Sequence, residues 1–490
     1  MASMFFTRRS FLLTVALSLP SIGLVACGSS TSSPTTTPVQ SSTSTSAVKT
    51  SSSAKAAAAP AAKPTPTPAS GETHHGASIT VNLWYGWAGA NAIRTWKALG
   101  TEMAKTITSF NIHWITADNN VKLLTAIAAG TPPEVAVGNA PYPEFWARGA
   151  AIPLDDMIAK SKVIDRKDVP AASWKYASYK GKTYGVPEVE AFVRYSLSLD
   201  AGNLQAQGID PAKVSWDWDT LTQLQQQLTK KAANGSIAVL GIDPLDAMGG
   251  AFGGGNPFYW GQAWGIQYFD EHTGTFNFAN PQLAEAMTTV KKIYDIAGGA
   301  QAVSGFHSSY GYWTGSPTAA FPSVVEDGQI NGYWNPGDLA LTAPHRTFYY
   351  TWPAVPASKK GFMFQSTGGH SGFIPRGAKH TAEAFQVIEF LYGDAAENII
   401  FDSTGWLGAR LSFLQKVNVN RYKGLDWFIK SAQHNDQLNG IPSNPIESFT
   451  ATQWNTALQN VLYGKATPQD ALKQLQQIVT NEYKQRIGSS

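Results

Sequence analysis

The stretch ITVNLWYGW, residues 79–87, is followed by a helix-like run, AIRTWKALGTEMAKTI at 92–107, and then by NIHWITA at 111–117. The first and third segments are rich in apolar and β-branched residues, as β-strands are, and the second has the helical period. The same alternation continues with VKLLTAIAAG at 121–130 and EVAVGN at 134–139. The alternation of strand and helix predicts an α/β lobe with a mostly parallel sheet.

Polar and aromatic residues occupy the loops that follow these three predicted strands. Because the carboxyl ends of parallel strands meet at one edge of a sheet, and ligands bind beyond that edge, we expect these loops to line a binding site. Asp118 has an alternative role as a cap of the helix that follows it. The residues predicted at this edge are Trp87, Asp118, Asn119, Asn139 and Tyr142.

The chain after residue 200 has mainly helical patterns. Each of four predicted helices has a residue suited to capping at its start, and two have proline at the first helical position. These helices span 217–233, 280–299, 381–393 and 467–484, with predicted caps Asp217, Asn280, Thr381 and Thr467.

The first residues have the pattern of an export signal. Arg8 and Arg9 precede an apolar run at 11–26, which is too short and too close to the terminus for a stable membrane span. The segment TRRSFLL resembles the twin-arginine signal, although Leu13 stands where that pattern has lysine, so ordinary Sec export is the alternative. LVAC resembles the lipobox of bacterial lipoproteins, which implies lipidation of Cys27. A conventional secretory peptide is the other interpretation.

Cys27 is the only cysteine, so the mature fold has no disulfide and depends on its apolar core. Residues 28–77 are almost entirely Ser, Thr, Pro and Ala, which predicts a disordered tether that includes His74 and His75. The net charge is +3, so the composition does not indicate a nucleic-acid surface. We found no metal, nucleotide or nucleophile motif and predict no cofactor, no metal and no catalysis.

The aromatic content favours a carbohydrate as ligand. The chain has Trp 16, Tyr 18 and Phe 23, and only 14% of its residues are charged. The C–H face of a pyranose packs on an aromatic ring, whereas its hydroxyl groups need donors and acceptors. A site for phosphates or polyamines would need a concentration of charge instead.

Several segments resemble the extracellular solute-binding proteins of bacterial ABC transporters, in the sugar-binding branch typified by maltodextrin-binding proteins. The likeness covers about residues 79–485, with Glu134 where the family usually has Asp. The segments that carry it, in the family order, are AIAAGTPPEVAV, ARGAAIPLDDMI, YKGKTYGVP, FPSVVEDGQINGYW, STGGHSGFIPRGAKHTAEAFQVIEFLY, STGWLGAR and LYGKATPQDALKQL.

The resemblance implies two α/β lobes joined by three crossing segments, with a sugar held between them and delivered to a membrane permease. It further implies a monomer, lipid-anchored outside the cell membrane. The predicted limits are 1–26 for the signal, 27–77 for the lipidated tether, 78–188 with 372–412 for lobe 1, and 189–371 with 413–490 for lobe 2.

The resemblance also implies ligand contacts from both lobes and from the crossing segments. Its aromatic contacts are Trp87, Tyr259, Trp260 and Trp334, and its contacts at the second crossing are Gly369 and His370. In this interpretation Glu188 and Glu190 accept hydrogen bonds from the sugar hydroxyl groups at the first crossing. Arg410, or alternatively Arg194, donates hydrogen bonds to the sugar. The tryptophans have core packing as an alternative, and the glutamates have hinge ion pairs.

Three other functions remain open from the sequence. A secreted glycoside hydrolase also needs an aromatic cleft and carboxylates, such as Glu188 and Glu190. An adhesin lipoprotein uses the fold without transport. A binding protein for another small solute, such as a polyol or glycerol phosphate, shares the cleft but not the sugar.

Overall fold

The computed structural model of the protein describes residues 69–86, 90–116, 120–138, 142–188, 192–245 and 257–488. Its strands are β1 Ser70–Thr73, β2 Thr80–Gly86, β3 Asn111–Thr116, β4 Val135–Gly138, β5 Ser178–Tyr179, β6 Lys182–Thr183, β7 Gly185–Pro187, β8 Ser196–Asp200, β9 Lys230–Lys231, β10 Ile237–Asp243, β11 Phe269–Asp270, β12 Thr275–Phe276, β13 Glu326–Asn331, β14 Phe348–Thr351, β15 Phe364–Thr367, β16 Ser371–Phe373 and β17 Gln437–Gly440.

The α-helices complete the alternation. They are α1 Ala90–Thr106, α2 Asn120–Ala128, α3 Tyr142–Ala147, α4 Asp155–Lys160, α5 Ala171–Tyr176, α6 Ala201–Ala206, α7 Trp218–Leu228, α8 Pro257–Trp264, α9 Pro281–Ala297, α10 Ala300–Ser309, α11 Asn335–Thr342, α12 Thr381–Tyr392, α13 Asp394–Thr404, α14 Leu411–Leu414, α15 Leu425–Gln433, α16 Glu447–Leu462 and α17 Pro468–Arg486. Short 3-10 helices lie at Arg166–Asp168, Pro211–Lys213, Ala357–Lys359 and Val419–Arg421.

The first sheet has the strand order β1-β3-β2-β4-β16-β7. Its central strand, β2, alternates buried and half-buried residues, with Val81, Leu83 and Tyr85 fully buried. This alternation is the one predicted for residues 79–87. β2 pairs in parallel with β3 and with β4, so the ends of these three strands lie at one edge of the sheet.

The second sheet has the strand order β14-β8-β13-β10-β9. α7 and α10 pack against β10, and α9 packs against α7, α10, α16 and α17. The largest buried cluster of the protein lies around these helices and includes Leu221, Met287 and Trp454. The C-terminal helices therefore stabilise the second sheet, although α16 begins almost a hundred residues after β14, the last strand of that sheet.

Both sheets are mixed, so the expectation of mostly parallel sheets is wrong. The parallel pairs in the two large sheets are β2 with β3, β2 with β4 and β10 with β13. β16 is antiparallel to both β4 and β7, and β8 is antiparallel to both β13 and β14. The antiparallel strands include those at which the chain passes between the sheets, because a strand that returns from the other sheet enters from the opposite end.

The chain passes between the two sheets three times. It leaves the first sheet after β7 and enters the second at β8, and it returns between β15 and β16. The third passage includes β17, which pairs in parallel with β15. The predicted lobe limits stay predictions. The last limit, at 412/413, assigns α15 to lobe 2, and the ring of Phe428 in α15 lies 5.5 Å from that of Tyr350 in the second sheet.

The predicted tether at 28–77 extends too far. Residues 70–73 form β1, which pairs antiparallel with β3 along the edge of the first sheet. The Ala69 carbonyl accepts a hydrogen bond from the Thr116 backbone N–H, and the Thr73 hydroxyl accepts one from Ile112. A polar segment can still be ordered where a neighbouring edge strand offers unpaired backbone groups. The signal segment and residues 27–68 lie outside the described residues.

Three of the four predicted helix caps are confirmed. Side chains of Asp217, Asn280 and Thr467 accept hydrogen bonds from backbone N–H groups at the starts of α7, α9 and α17. Thr381 is the first helical residue of α12 rather than its cap, because His380 precedes it at the cap position without a side-chain bond.

The predicted helix at 217–233 ends earlier, at Leu228. Thr229 is extended, and Lys230 and Lys231 form the edge strand β9 against β10. The Lys231 ammonium donates to the Ala297 carbonyl at the end of α9, where helix carbonyls lack intrahelical partners. This contact stabilises the turn away from the helical path.

Removal of β1 is expected to destabilise the fold. A chain that begins at residue 78 loses the hydrogen bonds of β1 to β3, whereas a chain that begins at residue 69 keeps them. We expect the free energy of unfolding to be lower by roughly 2–4 kcal/mol in the shorter chain. Urea unfolding of the two chains measures this difference, and equal stabilities would show that β1 contributes nothing.

Candidate functional site

Several predicted site residues lie outside the described residues. These are Cys27, Trp87, Asp118, Asn119, Asn139 and Glu190. The described ones fall into two groups. The first lies at the passages between the two sheets, and the second lies in packed cores or ion pairs.

Glu188 and His370 are adjacent at the first two passages. β7 and β16 are antiparallel neighbours, with Ser371 opposite Pro187, so the residues beyond them also meet. The Glu188 backbone N–H donates to the His370 carbonyl at 2.9 Å. The prediction that both passages contribute to one place is consistent with this contact, although the ligand contacts themselves stay predictions.

The side chain of Glu188 points to the first sheet. The Tyr85 hydroxyl, near the end of β2, donates a hydrogen bond to Glu188 Oε2 at 3.0 Å. Both residues are buried. Among the described residues, the second carboxyl oxygen, Oε1, has no hydrogen-bond partner. One oxygen of this buried acid therefore has unused hydrogen-bonding capacity.

Burial raises the pKa of Glu188 to about 8, because the low dielectric disfavours its charged form. The hydrogen bond from Tyr85 opposes this shift, and the negative charge of Glu397 adds to it. Burial, and then the nearby Glu188 carboxylate, raises the pKa of Tyr85 well above its ordinary value. At neutral pH the pair is therefore a protonated phenol and a protonated carboxylic acid, which donates as well as accepts.

Six rings form a continuous series that includes Tyr85, whose ring also contacts Trp96 of α1 at 4.3 Å. Consecutive ring centroids are 5.7–6.5 Å apart. The members of this aromatic series, in order, are Tyr85, His370, Trp406, Trp313, Trp334 and Tyr333. Trp313 and Trp334 are nearly parallel, at 22°. Trp313 is 39% exposed, whereas the other members are buried, so the series opens to solvent at Trp313.

The aromatic series joins the two sheets. Tyr85 and His370 belong to the first sheet or its passages, and Trp406 follows α13, which packs on α1 and α12 of that sheet. Tyr333 and Trp334 directly follow β13 of the second sheet. Close to the series the backbones meet, since a Cβ atom at Gly337 in α11 would lie 1.8 Å from the Thr404 carbonyl oxygen of α13.

The ring of Trp334 is placed by the turn after β13. A Cβ atom at Gly332 would lie 2.3 Å from the Trp334 ring and 2.4 Å from the Arg194 carbonyl oxygen. Only glycine leaves room for the indole to fold back over this turn. α11 begins at Asn335, with Pro336 in its first turn, which holds the turn in one orientation.

Further unpaired polar atoms lie at Trp334 and Asn335. Among the described residues, Trp334 Nε1 and both amide atoms of Asn335 are buried and have no hydrogen-bond partner. An unsatisfied buried polar group costs about 1–3 kcal/mol. Such groups beside a partly exposed aromatic surface indicate a site whose ligand supplies the missing partners.

Tyr142 and Gly369 lie near this place, but Tyr142 is already hydrogen-bonded. The Tyr142 hydroxyl donates to the Ser371 carbonyl at 3.1 Å and accepts from the Ser371 N–H at 2.8 Å. Its ring is buried against Trp146, 5.3 Å away. Tyr142 thus stabilises the start of β16. Gly369 directly precedes His370, and its ligand role stays a prediction.

Tyr259 and Trp260 lie in the core of the second sheet. The Tyr259 hydroxyl donates to the Ala354 carbonyl at 3.3 Å, and Trp260 stacks on Trp218 of α7 at 5.4 Å. Both side chains are almost completely buried. They are not members of the aromatic series. Both pack in the core, which is the alternative role given above for the tryptophans.

Arg410 is occupied by carboxylates. Its Nε donates to Glu397 Oε2 at 2.8 Å, and its Nη2 contacts Asp394. These contacts, opposed by burial, raise the pKa of the guanidinium. Arg410 thus holds α13 to the start of α14, and its donation to a ligand stays a prediction.

Four members of the aromatic series are not among the site residues predicted from the sequence. They are Tyr85, Trp313, Trp406 and Tyr333, the last of which is adjacent to the predicted Trp334. No local pattern separates these residues from core aromatics, because their common place depends on contacts between segments that are far apart in the chain.

A family model described as bacterial extracellular solute-binding protein matches residues 111–427. This range is more than half of the chain. It contains all strands of the second sheet and all strands of the first sheet except β1 and β2. The chain belongs to this family. The resemblance described from the sequence is therefore confirmed, and membership places this solute-binding protein outside the cytoplasm.

Solved structures with the same fold include several solute-binding proteins. CpMnBP1 with mannotriose bound has a TM-score of 0.72 and 25% identity over 81% of this chain and 99% of its own. A binding protein from Listeria monocytogenes in complex with cycloalternan has a TM-score of 0.66 and 18% identity, covering 82% and 98%. The maltose/maltodextrin-binding domain from Bdellovibrio bacteriovorus bound to maltotriose has a TM-score of 0.64 and 15% identity, covering 83% and 100%.

These likenesses confirm the predicted two-lobed α/β fold of the solute-binding protein. A comparison with curated protein sequences gave no match. Among the residues that the structure describes, no helix has both the length and the apolar character required to cross a membrane.

Glu188 is expected to make stability depend on pH. Its pKa is about 8 in the folded protein and about 4.5 when unfolded, so between these values the folded state binds the additional proton. The free energy of unfolding therefore falls as pH rises from about 5 to about 8. Glu188→Gln imitates the protonated acid and should reduce this fall by roughly 3 kcal/mol.

Urea unfolding at pH 5 and pH 8, without ligand, measures this effect as the difference between the wild type and Glu188→Gln. Glu285→Gln, at an exposed position of α9, is the matched control for the change of side chain. An identical pH dependence in wild type and Glu188→Gln would contradict the assignment of a buried, protonated Glu188.

Proposed function

We propose that this solute-binding protein binds an uncharged carbohydrate of two or more rings beside the aromatic series and delivers it to the permease of an ABC transporter. The single observation that carries the proposal is a set of stacked aromatics from both sheets beside buried polar atoms that lack partners. The protein performs no chemistry on the sugar and acts as a monomer.

The indole faces supply the apolar contact. Trp313 and Trp406 have ring centroids 6.4 Å apart at 82°, so their faces are nearly perpendicular. The C–H faces of successive sugar rings pack on such surfaces without a specific hydrogen bond. The partial exposure of Trp313 leaves room for a chain of rings to extend toward solvent.

The polar atoms supply the hydroxyl contacts. Trp334 Nε1 donates, the Asn335 amide donates and accepts, and the protonated Glu188 does both. These groups are neutral at pH 7, given the raised pKa of Glu188. A neutral site favours a sugar over a glycerol phosphate or a polyamine, which need opposite charges.

Binding and closure are coupled because the site draws on both sheets. A sugar that contacts Trp406 on one side and Trp334 on the other makes both sets of contacts only when the two sides are close together. The ligand therefore selects the closed arrangement through its differential affinity. The three chain passages act as the hinge.

The oligosaccharides named for the solved relatives support this ligand class. Mannotriose, maltotriose and cycloalternan are bound to proteins of the same fold at 15–25% identity. Identity at this level leaves the choice of sugar to experiment. The export signal and the lipid at Cys27 are part of the proposal, since both rest on the sequence alone.

Trp334→Ala is expected to weaken carbohydrate binding by roughly 1–3 kcal/mol, or about 5- to 150-fold, because the stacking surface and an indole donor are lost. The sugar is chosen by thermal shift from a panel of manno-, malto- and cyclic oligosaccharides, with glycerol phosphate and spermidine as charged alternatives. Titration calorimetry then measures the affinity of the wild type and the variant.

Trp427→Ala is the matched control, because Trp427 is half-buried, packs 5.5 Å from Trp352 and is not a member of the aromatic series. We expect its affinity to equal that of the wild type. A thermal shift with glycerol phosphate or spermidine and none with any sugar would overturn the ligand class. An unchanged affinity in Trp334→Ala would remove this residue from the site.

Cys27→Ala is expected to release the protein from the membrane, since it removes the only thiol that a lipid can acylate. Fractionation of cells that express each form, combined with labelling by a fatty-acid analogue, measures the effect. Labelling that persists in the variant would contradict lipidation at Cys27.

A further inference from the structure

A cavity of about 310 Å³ lies at the third passage between the sheets. None of its lining residues belongs to the aromatic series. Its walls come from three places: Lys175 on α5, Gln262 on α8 with the loop after it, and Gln437 with Asn439 on β17. Amide side chains are thus the main polar groups of this cavity.

Gln262 has an unusual hydrogen-bond state. Its side chain is 5% exposed, and neither Nε2 nor Oε1 has a partner among the described residues. Gln365 is also buried, but its Nε2 donates to the Tyr195 carbonyl at 2.8 Å and its Oε1 accepts from the Tyr195 N–H. Gln225 is paired in the same way with Ile242 and Ile293.

Two other buried glutamines are thus paired through both amide atoms, whereas the buried Gln329 has an unpaired Nε2 among the described residues. A buried amide that lacks both partners lowers stability by about 1–3 kcal/mol for each unpaired group. Replacement of such a side chain by an apolar one of similar size removes that loss. The unpaired amide of Gln262 is therefore more readily explained by a ligand than by folding.

The charge of the cavity is balanced. Lys175 Nζ lies 3.2 Å from Glu271 Oε1, so the lysine is already paired. No other lining residue is charged. The cavity thus offers amide donors and acceptors without net charge, which suits hydroxyl groups, since each hydroxyl donates one hydrogen bond and accepts others.

The volume limits the size of the ligand. Sites for small molecules have volumes of about 300–1,000 Å³, and this cavity is at the lower end. A single sugar ring or a linear polyol has the appropriate size, whereas an oligosaccharide is too large.

We propose that the cavity is a second binding site, for a neutral polyol or a single sugar ring, in which the Gln262 amide is the principal hydrogen-bonding group. This site goes beyond the proposed function, because it shares no residue with the aromatic series and takes a smaller ligand.

Titration of the purified protein with myo-inositol, D-sorbitol, D-glucose and D-mannose, followed by ligand-observed NMR, tests the proposal. We expect saturable millimolar binding of at least one of these compounds. Gln262→Leu should weaken that binding at least about tenfold through loss of the amide. Trp334→Ala should leave it within about twofold, because Trp334 is not one of the lining residues.

The stability of the ligand-free variants gives an independent readout. Gln262→Leu should raise the melting temperature, since it removes unpaired buried groups, whereas the matched Gln365→Leu should lower it by leaving the Tyr195 backbone unpaired. A decrease in Gln262→Leu as large as that in Gln365→Leu would overturn the proposal, because the amide would then be required by the fold.

The two sites can fail separately. Polyol binding that is lost in Trp334→Ala and kept in Gln262→Leu would place the polyol at the aromatic series and overturn the second site. The absence of saturable binding of all four compounds would also overturn it. If Trp334→Ala leaves oligosaccharide affinity unchanged while Gln262→Leu loses the polyol, the proposed function fails and the second site stands.

Discussion

The hydrogen bond between the Tyr85 hydroxyl and Glu188 is the contact on which the arrangement of the site depends. It ties the central strand of the first sheet to the first passage, and the Glu188 backbone is in turn bonded to His370 at the second passage. Burial keeps the acid protonated at neutral pH, so Glu188 adds no buried charge to the junction of the two sheets. A buried carboxylate in this place would oppose the packing of the aromatic series around it.

The same junction explains why glycines and aromatics alternate there. Gly332 leaves space for the Trp334 ring, and Gly337 allows α11 to approach the end of α13. The glycines and the large rings depend on each other in this packing. The Trp334 ring, for example, lies in space that a Cβ atom at residue 332 would fill. Among the described residues, buried polar atoms without partners occur at this junction and at Gln262, where a ligand can supply the partners, and also in the packed core, as at Trp218 Nε1 and Gln329 Nε2.

Parts of the fold were predictable because their signals are local. The alternation of apolar residues in β2 and the caps at Asp217, Asn280 and Thr467 depend on neighbours within a few residues. The predicted tether failed at β1, since the order of Ser70–Thr73 comes from β3, about forty residues away. The end of α7 was missed for the same kind of reason, because Lys231 bonds to α9.

The sequence by itself determined the α/β alternation, the membership of the family and the position of Glu188 and His370 at the first two passages. Tertiary structure alone decided which aromatics share a place. Trp260 and Trp334 have similar sequence surroundings, yet Trp260 packs on Trp218 in the core and Trp334 stacks on the half-exposed Trp313. The physical reason is that apolar burial has no direction: a tryptophan is stabilised equally in a core or beside a ligand, and only contacts between distant segments decide between them.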